Sequence, residues 1–290
     1  LSEFTRIMDH IICVSTNVVD LGGITPYFIM FRAREVIYEL LEACCGARLT
    51  VSYVRIGGLA LDVPDDFEAR CRKALASVQE VWKAAHELIT RNVIIMKRFK
   101  DVGVMSRDDA LSWGWTGPCL RGSGVDYDVR KDHPYSGYES YDFEVPVGTA
   151  GDCFDRYLVR MEEMRQSVRI IEQALANLPT GPVITDDKRV ALPPKSDVYS
   201  NIEALMNHFK LVYEGILPPA GETYGYTEGA NGELGYYIVS DGQKHPWRVK
   251  VRPPCYNVYQ AFPHMIRGEM LADAIATIGG LNVIAGELDR

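Results

Sequence analysis

One segment near the middle of the chain constrains the fold more than any other. From Asp152 to Leu178, apolar side chains recur every three or four residues, which is the period of a helix with one buried face. The apolar positions are Tyr157, Leu158, Met161, Met164, Val168, Ile171 and Leu175. Because a helix of this length has to cover that face with other elements, we expect a body of packed helices around it.

The rest of the sequence predicts more helices and little sheet. Helical patterns occupy residues 2–20, 26–45, 65–92, 106–114, 200–214 and 263–278. Two extended segments, "ELGYYIVSDG" and "PWRVKVRPP", flank a turn at Asp241 and Gly242 and read as paired strands. The predicted fold class is therefore mainly α (α+β), with a helical body and a small antiparallel β appendage.

The domain organisation follows from length and from the absence of any linker-like segment. A chain of 290 residues suits a single domain, 1–290, with a substantial core. Within it we expect a helical half with an irregular loop, a helical segment, a β-hairpin, and a C-terminal helix followed by the terminal segment. These sub-regions are 1–145, 146–222, 223–255 and 256–290.

Composition excludes several classes of protein and site. The formal net charge of −8 argues against a general nucleic-acid surface. No apolar run reaches the roughly 18 residues of a spanning helix. Seven cysteines without C-x-x-C spacing indicate a reducing compartment and predict no metal held by this chain.

Three local patterns admit two interpretations each. The stretch "RGSGVDYD", residues 121–128, has two glycines like a phosphate loop but lacks the third glycine, the Lys-Ser/Thr pair and the strand–helix context, so a structural turn is favoured. His10 on a helix and Asp20 before two glycines are more often a core histidine and a helix-end residue than catalytic groups. Basic residues alternate on one strand face and suit either an acidic partner or solvent: Arg248, Lys250 and Arg252.

Several longer segments together resemble one family over essentially the whole chain. They are "TRIMDHIICVSTNVVDLGGITPYF", "YVRIGG", "LRGSGVDYDVRK", "VPVGTAGDCFDRYLVRMEEMRQSVRII", "HFKLVYEG", "GELGYYIVSDG", "RPP", "MLADAIATIGG" and "GELDR". They are similar to the quinone-site (D, or 49-kilodalton) subunit of the proton-pumping NADH:quinone oxidoreductase, respiratory complex I. That family is related to the large subunit of nickel–iron hydrogenases.

The resemblance implies a hydrogenase-large-subunit-like helical body and a role in an oxidoreductase that is catalytic only as an assembled translocase. It implies quinone as substrate, no cofactor bound by this chain, and an iron–sulfur cluster in a neighbouring small subunit. The expected partners are that subunit, the other peripheral-arm subunits and the membrane arm, at the cytoplasmic face of the inner (plasma) membrane. NADH binding, electron transport and proton transport would be properties of the complex.

The resemblance also assigns site residues. Asp20 matches an acid that supplies or steers protons when quinone is reduced, since a two-electron reduction needs two protons. Residues expected at the quinone cavity are His10, Thr16, Phe28, Ile284, Asp289 and Arg290. In hydrogenases the C-terminal segment carries D-P-C-x-x-C-x-x-H, but the matching residues 282–290, "NVIAGELDR", contain no cysteine. Nickel chemistry is therefore not expected.

A third group is expected near the neighbouring cluster: Thr50, Tyr53 and Arg55. Many relatives have a titrating histidine where this chain has Thr50. The resemblance further implies that residues upstream of Leu1, including a His and a Tyr that hold the quinone ring, belong to the family's subunit. Two alternatives stay open: a hydrogenase-derived structural scaffold, and the same subunit in a complex fed by another donor such as F420H2 or ferredoxin.

Overall fold

The fold is a bundle of helices with two small sheets, described for residues 1–289 by a computed structural model. Its helical first half contains α1 Ser2–Asp20, α2 Ile24–Cys45, α3 Phe67–Ala85, α4 Val93–Phe99, α5 Arg107–Ser112, α6 Gly117–Gly122 and α7 Val129–Asp132. The second half contains α8 Cys153–Ala176, α9 Lys195–Ser200, α10 Ile202–Tyr213, α11 Pro254–Gln260, α12 Phe262–Met265, α13 Leu271–Leu281 and α14 Ala285–Leu288. The predicted mainly α class is confirmed.

Both sheets are antiparallel. The smaller pairs β1 Val54–Arg55 with β2 Gly58–Leu59. The larger has the order β3-β4-β5, formed by β3 Gly221–Gly229, β4 Gly232–Ser240 and β5 Arg248–Arg252. The predicted hairpin is therefore two strands of a three-stranded sheet. Strand β3 was missed because its two tyrosines share a face with two glutamates and its other face carries only threonine and glycine.

The main core lies between α1, α2, α3 and α8. Side chains from all four helices are at most 1% exposed, including Phe4 and Ile11 of α1, Ile37 of α2, Cys71 of α3 and Met161 of α8. The long helix predicted around residues 152–178 is thus the element on which the body packs. A second core forms around Trp115, where α6, α11 and α13 meet.

Local signals placed most helix boundaries correctly. The side chains of Ser106 and Asp152 accept backbone N–H groups at the starts of α5 and α8, as N-caps do. Gly22 ends α1 with a φ of 93°, a conformation that glycine adopts without a Cβ clash.

Three predicted boundaries were wrong. The helix expected over 263–278 is divided into α12 and α13, interrupted around Gly268 at a φ of 90°, and α11 before it was not predicted. The helix over 65–92 ends in a five-residue π turn, His86–Thr90. The segment expected to be irregular after Gly117 contains the short helices α6 and α7.

Helix α10 keeps its apolar side chains outside the core. They recur at helical spacing and are between 43% and 70% exposed: Ile202, Leu205, Met206, Phe209, Val212 and Tyr213. The neighbouring basic strand is less uniform than its sequence indicates. Arg248 and Lys250 are exposed, whereas Arg252 donates to the backbone oxygens of Glu233 and Gly114.

Candidate functional site

One face of α1 points away from the core and carries two of the predicted residues, Thr16 and Asp20. Asp9, Thr16 and Asp20 lie within about 40° of one another around the helix axis, at about 100° per residue. Asp9 is half-buried, and Thr16 and Asp20 are exposed. Together with the half-buried Ile12 they form what we call the α1 stripe. Its two carboxylates are separated by about 16 Å along the axis.

A cavity of about 630 Å³ opens at the Asp9 end of the α1 stripe. Its walls come from α1, the β3–β4 sheet and the segment after α13. The lining residues include Asp9, Leu234, Tyr236, Val251, Ile284 and Glu287. Most of this lining is apolar and two carboxylates face it, which is the composition of a site for a largely apolar ring with polar substituents.

The C-terminal end of α13 fixes the Ile284 side of this cavity. Helix ends leave backbone carbonyls without intrahelical partners, and here sulfur and guanidinium groups reach them. The thiols of Cys153, Cys13, Cys119 and Cys255 donate to the carbonyls of Ala276, Gly279, Leu281 and Asn282 at 3.5–3.8 Å, and Arg160 Nη1 donates to Gly280 O at 2.8 Å. Burial raises the pKa of the Cys13 thiol to about 12, which keeps its donor proton in place.

A buried network of charged side chains lies behind the cavity wall. His10 Nε2 is 2.8 Å from Glu163 Oε2, and both side chains are fully buried. Arg121 binds the other oxygen of Glu163 through Nε at 2.8 Å and Nη2 at 2.7 Å. Arg121 Nη1 also donates to Glu228 Oε1 at 3.0 Å. One guanidinium thus holds two buried carboxylates together.

The network continues to the start of α1. Arg130 Nη2 donates to Asp128 Oδ2 at 2.6 Å, and Arg130 Nη1 donates to Glu3 Oε2 at 3.1 Å. Arg6 pairs with Glu3 at 3.3 Å. Burial opposes ionisation of Glu3, but the two guanidiniums overcome it and lower the pKa of Glu3 to about 2. Burial instead dominates at Glu228 and raises its pKa.

Thr50 and Tyr53 lie in the loop after α2, and Arg55 lies in β1 of the short sheet that follows. Thr50 is exposed and has a φ of 54°, which is unusual for a β-branched residue. Arg55 is exposed, whereas Tyr53 is 7% exposed and its hydroxyl has no hydrogen-bond partner within residues 1–289. Burial raises the pKa of Tyr53. The three side chains therefore share a segment but not a common surface.

The predicted quinone-cavity residues separate into groups. Ile284 lines the cavity, and Asp289 is exposed at the end of α14. Thr16 lies on the α1 stripe, and Phe28, 64% exposed, lies on α2. His10 is behind the cavity wall with no exposed surface. Arg290 lies outside the described residues.

Asp20 is the last residue of α1. Its carboxylate makes no side-chain hydrogen bond in the part of the chain that the structure describes. Asp20 lies about 16 Å along α1 from Asp9, which lines the Ile284 cavity. One small ring therefore cannot contact Asp20 and occupy this cavity at the same time.

Sequence reasoning did not identify Asp9, Glu163, Arg121 and Glu228 as candidates. A signal was present in α8, where Arg156, Arg160, Glu163 and Ser167 recur at helical spacing beside apolar residues. Charged residues at core positions indicate a buried ionic network, because isolated buried charges are costly.

Residues 1–289 offer neither a metal centre nor a membrane span. No cluster of three or more His, Cys, Asp or Glu side chains there has an arrangement suited to a metal ion. None of the helices in that range combines the length and apolar character needed to cross a bilayer.

Comparisons with known proteins match almost the whole chain to one family. Residues 20–290 match the family described as respiratory-chain NADH dehydrogenase, 49 Kd subunit. The chain is 55% identical to the C/D subunit of the NADH-quinone oxidoreductase of Bdellovibrio bacteriovorus, covering all of this chain and 52% of that protein. It is 50% identical to the D 1 subunit of the same enzyme in Sorangium cellulosum and 48% identical to the D subunit in Myxococcus xanthus, covering 72% and 70% of them.

The chain thus spans about half the length of the C/D relative and under three quarters of the two D relatives. All three align over the full length of the present chain, so the α1 stripe, the cavity walls and the buried network fall inside the matched region. On the strength of these matches, the chain belongs to the family of the 49-kilodalton subunit of respiratory-chain NADH dehydrogenase.

Proposed function

We propose that this chain is a peripheral-arm subunit of a proton-pumping NADH:quinone oxidoreductase and forms part of its quinone-reduction chamber. The observation that carries the proposal is the α1 stripe, which extends over about 16 Å from Asp20 to Asp9, where the cavity lined by Ile284 opens. The names of the relatives, subunits of NADH-quinone oxidoreductases, support quinone as the substrate.

Reduction of a quinone to a quinol takes two electrons and two protons. The electrons would come from a terminal iron–sulfur cluster in a neighbouring small subunit, and this chain would bind no cofactor itself. Asp20, exposed at one end of the α1 stripe, would supply or steer protons as a general acid. Thr16 and Phe28 would border the ring's path, and Ile284 would form its apolar wall.

Exposed apolar surface supports a place among other subunits. The face of α10 offers six large apolar side chains to a partner, and patches of this kind mark interaction sites. We propose that the cluster-bearing subunit, other peripheral-arm subunits and the membrane arm cover such surfaces, at the cytoplasmic face of the inner (plasma) membrane. Thr50, Tyr53 and Arg55 would lie on the side of the cluster.

The test is an assembled complex that carries Asp20→Asn or Ile284→Met. Asp20→Asn should slow quinone reduction about 100-fold where proton transfer limits the rate, while reduction of an artificial acceptor at the flavin stays unchanged. Ile284→Met roughly conserves volume, so its folding cost should be under about 1.5 kcal/mol. It should change sensitivity to quinone-site inhibitors.

Asp108→Asn, at an exposed carboxylate in the first turn of α5, is the matched control and should behave as the unmodified complex. If Asp20→Asn and Ile284→Met also leave turnover and inhibitor sensitivity unchanged, the chain is a hydrogenase-derived scaffold. A complex that accepts electrons from F420H2 or ferredoxin instead of NADH would keep the chamber and change only the donor.

A further inference from the structure

We propose that Asp9 and His10 form a proton relay that serves the Ile284 cavity, with Glu163 as the residue that positions the imidazole. The inference rests on the proposed function and adds to it a second acid, distinct from Asp20 and located at the cavity itself. Its basis is the order of groups from the cavity inward: Asp9, His10, Glu163 and Arg121.

Glu163 fixes one nitrogen of the His10 ring. Arg121 contacts the Glu163 carboxylate at 2.7 Å, and an arginine keeps its charge under all ordinary conditions. Although burial opposes ionisation, Arg121 and His10 hold the pKa of Glu163 far below its usual range. A permanently ionised Glu163 accepts a hydrogen bond from His10 Nε2–H, which leaves Nδ1 as the nitrogen that can gain or lose a proton.

The second nitrogen of His10 faces the cavity side. Nδ1 is buried, has no hydrogen-bond partner within residues 1–289, and lies 3.6 Å from Asp9 Oδ2. An unpaired buried polar atom is costly, so a small shift of Asp9 toward it would be favourable. The Asp9 side chain is 24% exposed and lines the cavity, and its Oδ2 accepts from Asn282 Nδ2 at 2.8 Å.

The pair lies among buried charges of both signs. The network contains five carboxyl groups and four guanidiniums, and because burial favours the protonated form of Glu228, four carboxylates remain to balance the guanidiniums. The carboxyl groups are Glu3, Asp9, Asp128, Glu163 and Glu228, and the guanidiniums are Arg6, Arg121, Arg130 and Arg160. Within residues 1–289, the other titratable side chains near the pair include the thiols of Cys13 and Cys119.

The transfer conserves protons and electrons. The quinone receives two electrons from the reduced cluster of the complex. One proton moves: the Nδ1–H proton of His10 passes to the Asp9 carboxylate, and Asp9 gives it to one quinone oxygen. Once the quinol leaves, Asp9 takes a proton from water in the cavity and returns it to His10 Nδ1, so the relay supplies one of the two protons of each turnover.

The experiment compares Asp9→Asn, His10→Gln and Glu163→Gln in the assembled complex. Asp9→Asn should slow quinone reduction about 100-fold without affecting the artificial acceptor at the flavin. Glu163→Gln should move the high-pH limb of the quinone-reduction profile to lower pH, because a neutral amide no longer stabilises the imidazolium. The adjacent Glu162→Gln, at a partly exposed side chain paired with Arg165, is the control and should keep the profile.

A readout apart from turnover is the infrared difference spectrum of the complex with isotope-labelled histidine. An imidazole protonation signal that appears with quinone reduction should vanish in His10→Gln. If Glu163→Gln does not assemble, the partly exposed Asp9→Asn decides the question.

Wild-type rates and pH profiles in Asp9→Asn would overturn the relay. If Ile284→Met still alters inhibitor sensitivity in that case, the proposed function stands without the relay. If Ile284→Met also leaves inhibitor sensitivity unchanged, both the relay and the proposed function are contradicted.

Discussion

Glu3 and Glu228 are buried in the same network but respond to it in opposite ways. Glu3 contacts two guanidiniums and accepts a hydrogen bond from Ser167 Oγ at 2.6 Å, so its charged form is stabilised. Glu228 contacts one guanidinium, which Glu163 also contacts. Burial therefore outweighs the attraction of Glu228 to this guanidinium and favours the protonated form of Glu228.

These opposite pKa shifts predict opposite pH dependences of stability. The pKa of Glu3 is lowered to about 2 on folding. The unfolded chain therefore takes up the proton first as pH falls, and about 3 kcal/mol of stability is lost between about pH 4.5 and pH 2. The pKa of Glu228 is raised, so stability contributed by its protonated form is lost as pH rises above the unfolded value.

Urea unfolding of the chain across this pH range checks both signs. Glu3→Gln should destabilise at neutral pH by about 3–5 kcal/mol, because Arg130 and Arg6 lose a charged partner, and should flatten the acid limb. Glu228→Gln imitates the protonated carboxyl, so its stability relative to the unmodified chain should increase as pH rises. If the free energy of unfolding had the same pH dependence in the two variants, the opposite pKa shifts of Glu3 and Glu228 would be contradicted.

The sequence predicted the positions of buried residues better than their chemistry. The helical period placed Met161, Met164 and Val168 of α8 in the core, as observed. It could not show that Glu163 is buried too, because its partner Arg121 is 42 residues away. Pairing across such separations depends on tertiary packing, which local periodicity does not encode.

At the scale of elements, the crossing of α1 and α13 sets the geometry of the cavity. The helices approach so closely at Gly279 that a Cβ there would lie 2.4 Å from Asn17 Oδ1 and 2.7 Å from Asn17 Cγ. Asp273, near the start of α13, pairs with Arg98 of α4 at 2.9 Å. Since the segment carrying Ile284 follows directly after α13, the position of this helix determines one wall of the cavity.

Gly279→Ala should push α13 away from α1. Overpacking of this kind costs typically about 1–3 kcal/mol, and the displacement should also change quinone-site inhibitor sensitivity in the assembled complex. Gly225→Ala is the control, because a Cβ at that strand position meets nothing within 4 Å and the backbone is not left-handed. Equal thermal unfolding midpoints for the two variants would mean that α13 shifts at no cost.

Element boundaries were predictable where a cap or a strong period marks them. Ser106, Asp152 and Gly22 carried such signals and were placed correctly. The separation of α12 from α13 had no such signal. Strand β3 had none either, because it pairs with β4 through backbone groups that any residue supplies. The α1 stripe lies on one helix, so the helical period predicts which residues share that face. The cavity is formed by elements that are distant in the sequence, so it could not be predicted from local patterns.

At the scale of the molecule, the functional surfaces lie at different places on one body. The α1 stripe and its cavity involve α1, the three-stranded sheet and the C-terminal segment, whereas Thr50 lies on the loop after α2. In the proposed complex these surfaces would face the quinone and the neighbouring cluster respectively. Coupling of proton uptake to reduction of the neighbouring cluster would then depend on titratable groups at the Thr50 surface.

Thr50 offers no such group, because a threonine hydroxyl does not titrate in the physiological range. We expect the potential of the adjoining cluster to be nearly independent of pH and lower than in relatives with a histidine here, which suits a low-potential quinone such as menaquinone. Thr50→His should introduce a dependence approaching about 59 mV per pH unit for a one-electron couple, because an added electron stabilises a nearby imidazolium.

The backbone permits this substitution. Thr50 is exposed with a φ of 54°, a conformation in which His and Asn are enriched and β-branched residues are strained. Thr50→Asn therefore serves as the matched control that keeps the backbone and cannot titrate. The measurement is a redox titration of the cluster in the complex, followed by EPR from about pH 6 to 8, around the ordinary pKa of histidine. A steep slope in the unmodified complex or in Thr50→Asn would mean that another group couples the proton to the electron, because neither side chain can accept one.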